Sequence, residues 1–491
     1  MSIRSLMPAA SRPFSLRMLT LLTGICLVGC PSTRDDSAGP DAPQNQSAAP
    51  IRVLVVDDEA MAAAIKRHWR ALGEGDIQIK ETATSELESS QQKRLNADVV
   101  IYPSGLIGEL AEKSLISPIS LDDLQLDALA LSDIFSLLRL REISWGGQVH
   151  AIPFGSPTFT LVYRADLLGK LNAKPPTDWA EYLDLAKLLS DRATVGLSSN
   201  SDQPWYGVAE PLAAGWAGQI LLARAAASVR HRSQFSTLFD YRDMRPLIDG
   251  PGFVRALEEL AAAAKLGSPD AIAFTPHDVR REFLRGNCAM ALSWPNRANS
   301  TDEPPATGVE IGFAELPGSE EVYNFRSQRW DARNADESAR VTLIGIDGRL
   351  GSVTRECRQP KAAMNLLFWL CGKEFAQRVA AQSKHTTVFR TSQLGQAAEW
   401  VDSQLDEHAA RQYGETVQLT QSRARWLCSI RIPGRGQYLA ALDDAVHAVL
   451  SGQSTPEESL HNAAGRWTEI TTALGLDQQR TAYMKSVGLE P

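Results

Sequence analysis

The sequence predicts an α/β protein built around parallel sheet, on three observations. An apolar run, IRVLVV at 51–56, is followed by helical periodicity in MAAAIKRHW (61–69), and a second apolar run, ADVVIYP (97–103), is followed by a helical stretch at 106–113. Buried apolar strands joined by helices imply a parallel sheet covered on both faces. The third observation is size: 491 residues, 44% hydrophobic and 22% charged, suffice for two or three domains and exclude collagen-like, disordered and small disulfide-scaffold classes.

The elements follow in order. Arg4, Arg12 and Arg17 precede an apolar run from Met18 to Val28, shorter than the roughly 20 residues that span a bilayer, so residues 1–29 are expected to be a secretory signal. The run ends Leu27-Val28-Gly29-Cys30 and resembles a bacterial lipobox, which implies that Cys30 carries a lipid as a thioether. Residues 30–50, with four prolines and mostly small polar side chains, cannot bury enough apolar surface to order themselves and are expected to be a tether. After the two strand–helix units, VHAIPFGSPTFTLVYRADLL (149–168) holds two short strands around a Pro-Phe-Gly-Ser-Pro turn, suited to a crossing between domains. Apolar i, i+3, i+4 spacing then predicts helices at 178–191, 214–228 and 252–267. The helix at 278–286 ends at Gly286 and feeds the strand 288–294, which stops at Trp294-Pro295. Residues 300–338 turn polar and proline-containing around a strand at 311–316, and VTLIGI (341–346) restores the sheet. A long helix is expected over Pro360–Ala381, a strand at 386–392, and a C-terminal helix opened by the cap Thr455 and Pro456. No internal repeat is present.

Charge narrows the function. There are 50 basic against 58 acidic residues, net −8, with no run of five Lys or Arg, which argues against nucleic acid as a partner. Removal of residues 1–29 deletes three arginines and leaves a net −11. Signatures of P-loop NTPases, zinc proteases and α/β-hydrolases are missing. VLVVDDE (53–59) is like the opening of a phosphoacceptor receiver domain, but the next strand carries Pro103 where that aspartate belongs. Asp57, Asp58 and Glu59 nevertheless follow a strand's carboxyl end, where open α/β sheets bind ligands; a solvated turn or an acidic helix start explains them as well. Beyond the signal and Cys30, Cys288, Cys357, Cys371 and Cys428 remain in an oxidising compartment. Three pairings of the four are possible; the helix from Pro360 would hold Cys357 and Cys371 too far apart for one bridge, and a Cys288–Cys428 bridge is expected, with free buried thiols as the alternative.

The segments 97–119, 145–168, 175–189, FLRGNCAMALSW (283–294) and 432–460 together resemble the family 1 extracellular solute-binding proteins, the receptors of ABC importers related to maltodextrin-binding proteins. The 300–340 insertion and an incomplete glycine pattern in LIGIDGRLGS depart from it. The resemblance implies a two-lobe periplasmic-binding-protein-like fold of type II with a ligand cleft between hinged lobes. Lobe 1 would be 51–155 with 341–392 and lobe 2 would be 156–340 with 393–491. It implies a monomeric, membrane-tethered receptor, with no cofactor, metal or catalytic residue, that captures a small solute, a sugar or oligosaccharide, for ABC permease subunits. By position in the family pattern, Asp58, Glu59, Ser104 and Gly105 would line the cleft from lobe 1 and Ser156 from the crossing turn. Trp294 would be the stacking platform, helped by Trp216 or Tyr206. Arg390 would clamp hydroxyls or a carboxylate, and Arg435 with Tyr438 would form a late cleft-facing turn. An exported lyase or glycosidase, or a solute sensor without transport, are the competing readings.

Overall fold

The computed structural model describes residues 49–72, 76–89, 93–124, 129–198, 202–295, 305–402 and 405–489. The expected signal, the tether as far as residue 48, and Cys30 lie outside the described residues. In chain order the framing strands are β1 (Ile51–Val56), β2 (Ile77–Thr82), β3 (Val99–Pro103), β4 (Ile152–Pro153), β5 (Thr160–Arg164), β6 (Tyr206–Ala209), β7 (Cys288–Ser293), β8 (Ile311–Glu315), β9 (Thr342–Ile344), β10 (Arg349–Val353) and β11 (Trp426–Cys428). The helices used below are α1 (Glu59–Leu72), α2 (Thr84–Ser89), α3 (Ile107–Glu112), α4 (Trp179–Ser190), α5 (Ala217–Val229) and α6 (Pro251–Ala264). They continue with α7 (Pro276–Leu284), α8 (Pro360–Cys371), α9 (Lys373–Val379), α10 (Arg435–Leu450), α11 (Pro456–Leu474) and α12 (Leu476–Val487).

The first sheet has the order β2-β1-β3-β10-β4, with β1 parallel to both neighbours and β10 antiparallel to β3 and β4. Every residue of β3 is buried, as an unbroken apolar run requires when helices cover both faces. The helix α1 buries Met61, Ala62, Ala64, Ile65 and Trp69 on one stripe, and Trp69 meets Trp369 of α8 edge-on at 5.1 Å. The second sheet has the order β8-β5-β7-β6, with α4, α6 and α7 packed on it. The helix α5, packed against α6, α10 and β9, is buried on all sides, which its small and apolar sequence AGQILLARAAASV permits. Caps mark the helix starts: Asp178 accepts from Glu181 N, Thr275 forms a reciprocal capping box with Asp278, and Thr455 accepts from Glu458 N as expected.

The chain passes from the first sheet to the second through 154–159 and returns to the first through 345–348 from the two-stranded parallel sheet of β9 and β11. Gly155 in the first passage has φ +114°, and a side chain there would begin 2.7 Å from the Thr387 carbonyl oxygen. Only glycine gives both that backbone angle and that close approach.

Four expectations need correction. The sheets are mixed, because β10, β5 and β8 run against their neighbours, so the parallel βαβ pattern of the first hundred residues does not extend through the chain. The helix expected over 360–381 breaks at Gly372, whose extended backbone separates α8 from α9. Residues 386–392 form no ladder; only Arg390 bridges Ile134. Among the described residues all four cysteines are free. Cys288 opens β7 at the end paired with Tyr206, whereas Cys428 closes β11 beside Gly345, so the Cys288–Cys428 bridge is not made. The strand β2 was not read from sequence; it is a half-exposed edge strand rich in polar residues.

Titration of the denatured Cys26→Ser, Cys30→Ser chain without reductant should return four thiols, and dithiothreitol should leave its melting temperature unchanged. Two thiols would restore a disulfide.

Candidate functional site

At one end of the first sheet, the chain leaves β1 at Asp57–Asp58, leaves β3 at Ser104–Gly105 and enters β10 at Arg349, which lies opposite Pro103. An antiparallel β10 brings its amino end to the carboxyl ends of β1 and β3, which is how Arg349 meets Asp58 across 291 positions. Arg349 has no exposed surface. Its Nε donates to Asp58 Oδ2 at 3.0 Å, its Nη2 to the Asp57 carbonyl at 2.9 Å and its Nη1 to the Asp347 carbonyl at 2.9 Å and carboxylate at 3.2 Å. Asp58 also accepts from Met61 N at 3.0 Å and from the Ser383 hydroxyl. Asp347 pairs with His385. Burial alone would raise the Asp347 carboxyl, but the charges of His385 and Arg349 outweigh it and hold it at about 2.

The second sheet presents aromatic side chains at its facing end. Thr160 of β5 lies opposite both Ser293 and Glu315, so Phe159 and Trp294 emerge side by side. Trp294 lies 5.4 Å from Phe159 and 5.6 Å from Trp216, and Phe159 meets Trp216 edge-on at 6.3 Å. Trp294 is 4% exposed and donates its indole N–H to the Lys384 carbonyl at 3.2 Å, whereas Trp216 is half-buried.

Several contacts join the two sides. Arg435, the first residue of α10, lies over Gly105, where a side chain would begin 2.2 Å from its Nε. Its Nη2 donates to the Ile346 carbonyl at 2.9 Å, an oxygen that also accepts from Gln219 Nε2 of α5 at 3.1 Å. Glu88 of α2 accepts from Gly436 N and Glu109 of α3 from Gly434 N, each at 3.1 Å. Ser156 donates to Glu142 at 2.6 Å, and burial pushes that carboxyl up against the hydrogen bonds of Ser104 and Ser156 and the Arg431 charge.

The structure therefore gathers Asp58, Ser104, Gly105, Ser156, Trp216, Trp294 and Arg435 around one junction between the sheets. Four other expected residues lie elsewhere. Glu59 is solvent-exposed in the first turn of α1, where an acid favours the helix dipole. Tyr206 opens β6 opposite Cys288, so it sits at the far end of the sheet from Trp294. Arg390 is buried and donates to the carbonyls of Leu129, Ala130 and Cys371, so its guanidinium pins the loop before residue 131 to the end of α8. Tyr438 is core: its hydroxyl bonds Thr471 and its ring packs on Phe239 and Trp467. Sequence reasoning missed Asp347, Arg349, His385, Ser383, Gln219, Phe159, Glu88 and Glu109. A signal existed for two of them, since Asp347-Gly348-Arg349 interrupts the glycine-containing LIGIDGRLGS with charge where a buried strand begins. Among the described residues no group of three or more His, Cys, Asp or Glu is arranged to hold a metal ion, and no helix is long and apolar enough to cross a membrane.

Comparison with protein-family models matches residues 75–405 to the bacterial extracellular solute-binding proteins. The chain belongs to this family. It is an exported solute-binding protein, a receptor and not an enzyme. No curated protein matches its sequence significantly. Solved structures with a similar two-lobe fold include an ABC transporter solute-binding protein from Agrobacterium radiobacter K84 in complex with ribitol. The two are 17% identical with a TM-score of 0.63, over 86% of this chain and 99% of that one. Maltose-bound MalE3 of T. maritima matches at 18% identity and TM-score 0.61, over 86% and 100%. An ABC transporter solute-binding protein from Agrobacterium vitis S4 with bound D-mannitol matches at 17% and 0.62, over 87% and 99%.

The Asp347 pairing makes an acid-side prediction. Its folded value lies below the roughly 3.9 of an unfolded aspartate, so its contribution to stability is complete above about pH 4 and is lost as pH falls toward about 2. Urea unfolding of Asp347→Asn should show lower stability than the parent at pH 6 and a shallower fall between pH 4 and pH 2. Parallel curves would exclude Asp347 as a source of the acid sensitivity.

Proposed function

We propose that this solute-binding protein is a lipid-anchored, monomeric receptor that takes a sugar or polyol into the junction between its lobes and delivers it to an ABC importer. The observation that carries the reading is the pairing of an aromatic wall with a polar edge. Phe159, Trp216 and Trp294 stand on one side, and Asp58, Asp347, Arg349 and His385 on the other. Stacked aromatic faces suit the apolar C–H faces of a sugar ring, and the part-exposed Asp347 carboxylate and His385 imidazole, held in place by the buried Asp58–Arg349 pair, suit its hydroxyls. Ribitol, D-mannitol and maltose in structures of the same fold support this ligand class. The proposed lobes are 51–155 with 341–392 and 156–340 with 393–491. The passages at 154–159 and 345–348 would then be hinge segments, and a ligand touching both lobes would favour the closed state that an importer reads. The tether ending before β1 and the lipobox-like Cys30 support anchoring, for which a lipoprotein's several acyl chains suffice.

The experiment is a thermal-shift screen of the chain against ribitol, D-mannitol and maltose, with product analysis. A bound solute at a hundredfold excess over its dissociation constant adds about 2.7 kcal/mol and must raise the melt. Consumption of the solute would make the protein an enzyme after all, and no shift with any of the three would remove the polyol and sugar reading.

The two tryptophans should separate. Trp216→Ala should keep the fold and weaken solute binding at least tenfold. Trp294→Ala, which empties a buried aromatic site, should cost about 3–5 kcal/mol of stability in urea unfolding. An unchanged affinity for Trp216→Ala would remove it from the site. For the anchor, Cys30→Ser should move the protein from the membrane pellet to the soluble exported fraction; a membrane-bound variant would exclude a Cys30 lipid.

A further inference from the structure

Three helix amino ends converge on the junction, and each is filled by a carboxylate of the chain itself. Unsatisfied N–H groups and the positive dipole end make such a terminus a ready seat for an anion. At α1 the seat is taken by Asp58, which accepts from Met61 N at 3.0 Å. At α5 it is taken by Asp443 of α10, whose two oxygens accept from Gly215 N at 2.6 Å and Gly218 N at 2.7 Å. At α10 it is taken from across the junction, by Glu109 on Gly434 N and Glu88 on Gly436 N, both at 3.1 Å. Neither α5 nor α10 has a side-chain cap from its own amino-terminal residue, so the carboxylates from elsewhere do that work.

The nearby cationic side chains also face carboxylates, while the buried Nε of Arg435 has no hydrogen-bond partner among the described residues. Arg349 is spent on Asp58, Asp347 and two carbonyls. Lys113 pairs with Glu109 at 2.6 Å. Arg435 donates to the Ile346 carbonyl and stands within electrostatic range of Asp347, Glu88 and Asp443. A negatively charged solute entering here meets acids on every helix end that would otherwise have held it. A neutral polyol differs, because each hydroxyl both donates and accepts and brings no charge to desolvate.

We propose that Glu88, Glu109 and Asp443 are charge-selectivity residues: by occupying the helix amino ends at the junction they restrict the receptor to uncharged polyhydroxy solutes and exclude uronates and sugar phosphates. This rests on the receptor reading above and adds the rule by which its ligand is chosen. Glu88 and Glu109 also reach from the α2 and α3 side onto α10, so the same two carboxylates that repel an anion hold the lobes together.

The test is calorimetric titration of the full chain in detergent, at low ionic strength so that charge effects are not screened. D-Mannitol is compared with D-mannitol 1-phosphate, and D-glucose with D-glucuronate. The expected result is binding of a neutral member with its anionic partner at least tenfold weaker. The Glu88→Gln, Glu109→Gln chain, which keeps an acceptor at each position but removes both charges, should narrow that gap at least threefold. Glu88→Gln alone serves if the double variant does not give the parent's circular dichroism and cooperative melt. Anion binding by the parent as tight as the neutral partner's would overturn the selectivity while leaving the receptor standing. An unchanged gap in the folded variants would take the role away from Glu88 and Glu109. Binding of neither member of both pairs would overturn the polyol reading and the selectivity with it.

Discussion

A guanidinium with no exposed surface, Arg349, is the constraint on which the junction depends. Removing such a charge from water costs several kcal/mol, repaid only when geometry is good and every donor is matched. Here the matching partners are the carboxylates of Asp58 and Asp347 and the carbonyls of Asp57 and Asp347. Those partners belong to the end of β1 and to the passage between the sheets, so satisfying one side chain fixes where β10 starts, how α1 begins and which way residues 345–348 turn. Because Asp347 also holds His385, and the neighbouring Ile346 carbonyl accepts from both α5 and α10, the four consecutive residues 346–349 tie together segments that are far apart in sequence.

The two faces of the junction are built on different principles. The first sheet contributes charge that is buried and internally balanced; the second contributes aromatic surface, with Trp294 locked by its indole hydrogen bond and Trp216 left half-open. The loop that carries Trp216 is held at its start by Glu210, which pairs with Arg224 and accepts from Tyr182, and at its end by Asp443. A platform held at both ends loses little freedom when a ligand stacks on it, which is the physical content of pre-organisation. The helix amino ends, filled by acids, make the surroundings of that platform hostile to negative charge without making them apolar.

Much of the fold was legible in sequence because the signals were local. IRVLVV and ADVVIYP read as buried strands, the capping residues Asp178, Thr275 and Thr455 stand where helices start, and the Pro-Phe-Gly-Ser-Pro turn marks a passage between the sheets. The family pattern placed Asp58, Ser104, Gly105, Ser156, Trp216, Trp294 and Arg435 near one another. It misplaced Tyr206 because strand direction decides which end of a sheet a residue occupies, and β6 starts where Trp294's strand also starts. It misplaced Arg390 and Tyr438 because a polar side chain near a functional turn serves equally well as a buried tie, and only the carbonyls around Arg390 and the rings around Tyr438 distinguish the two.

By itself the sequence determined the alternation of strands and helices, the mixed and acidic composition that disfavours nucleic acid, and the position of the cysteines and tryptophans. Each of these depends on residue type or on spacings of two to four residues. Tertiary structure alone decided the antiparallel course of β10, the free state of the four thiols, and the meeting of Asp58 with Arg349 and of Glu88 with Gly436 across 291 and 348 positions. Such contacts arise from the register of whole elements. A buried charge needs a partner from whichever segment the packing delivers, and no short pattern in the chain encodes which one that is.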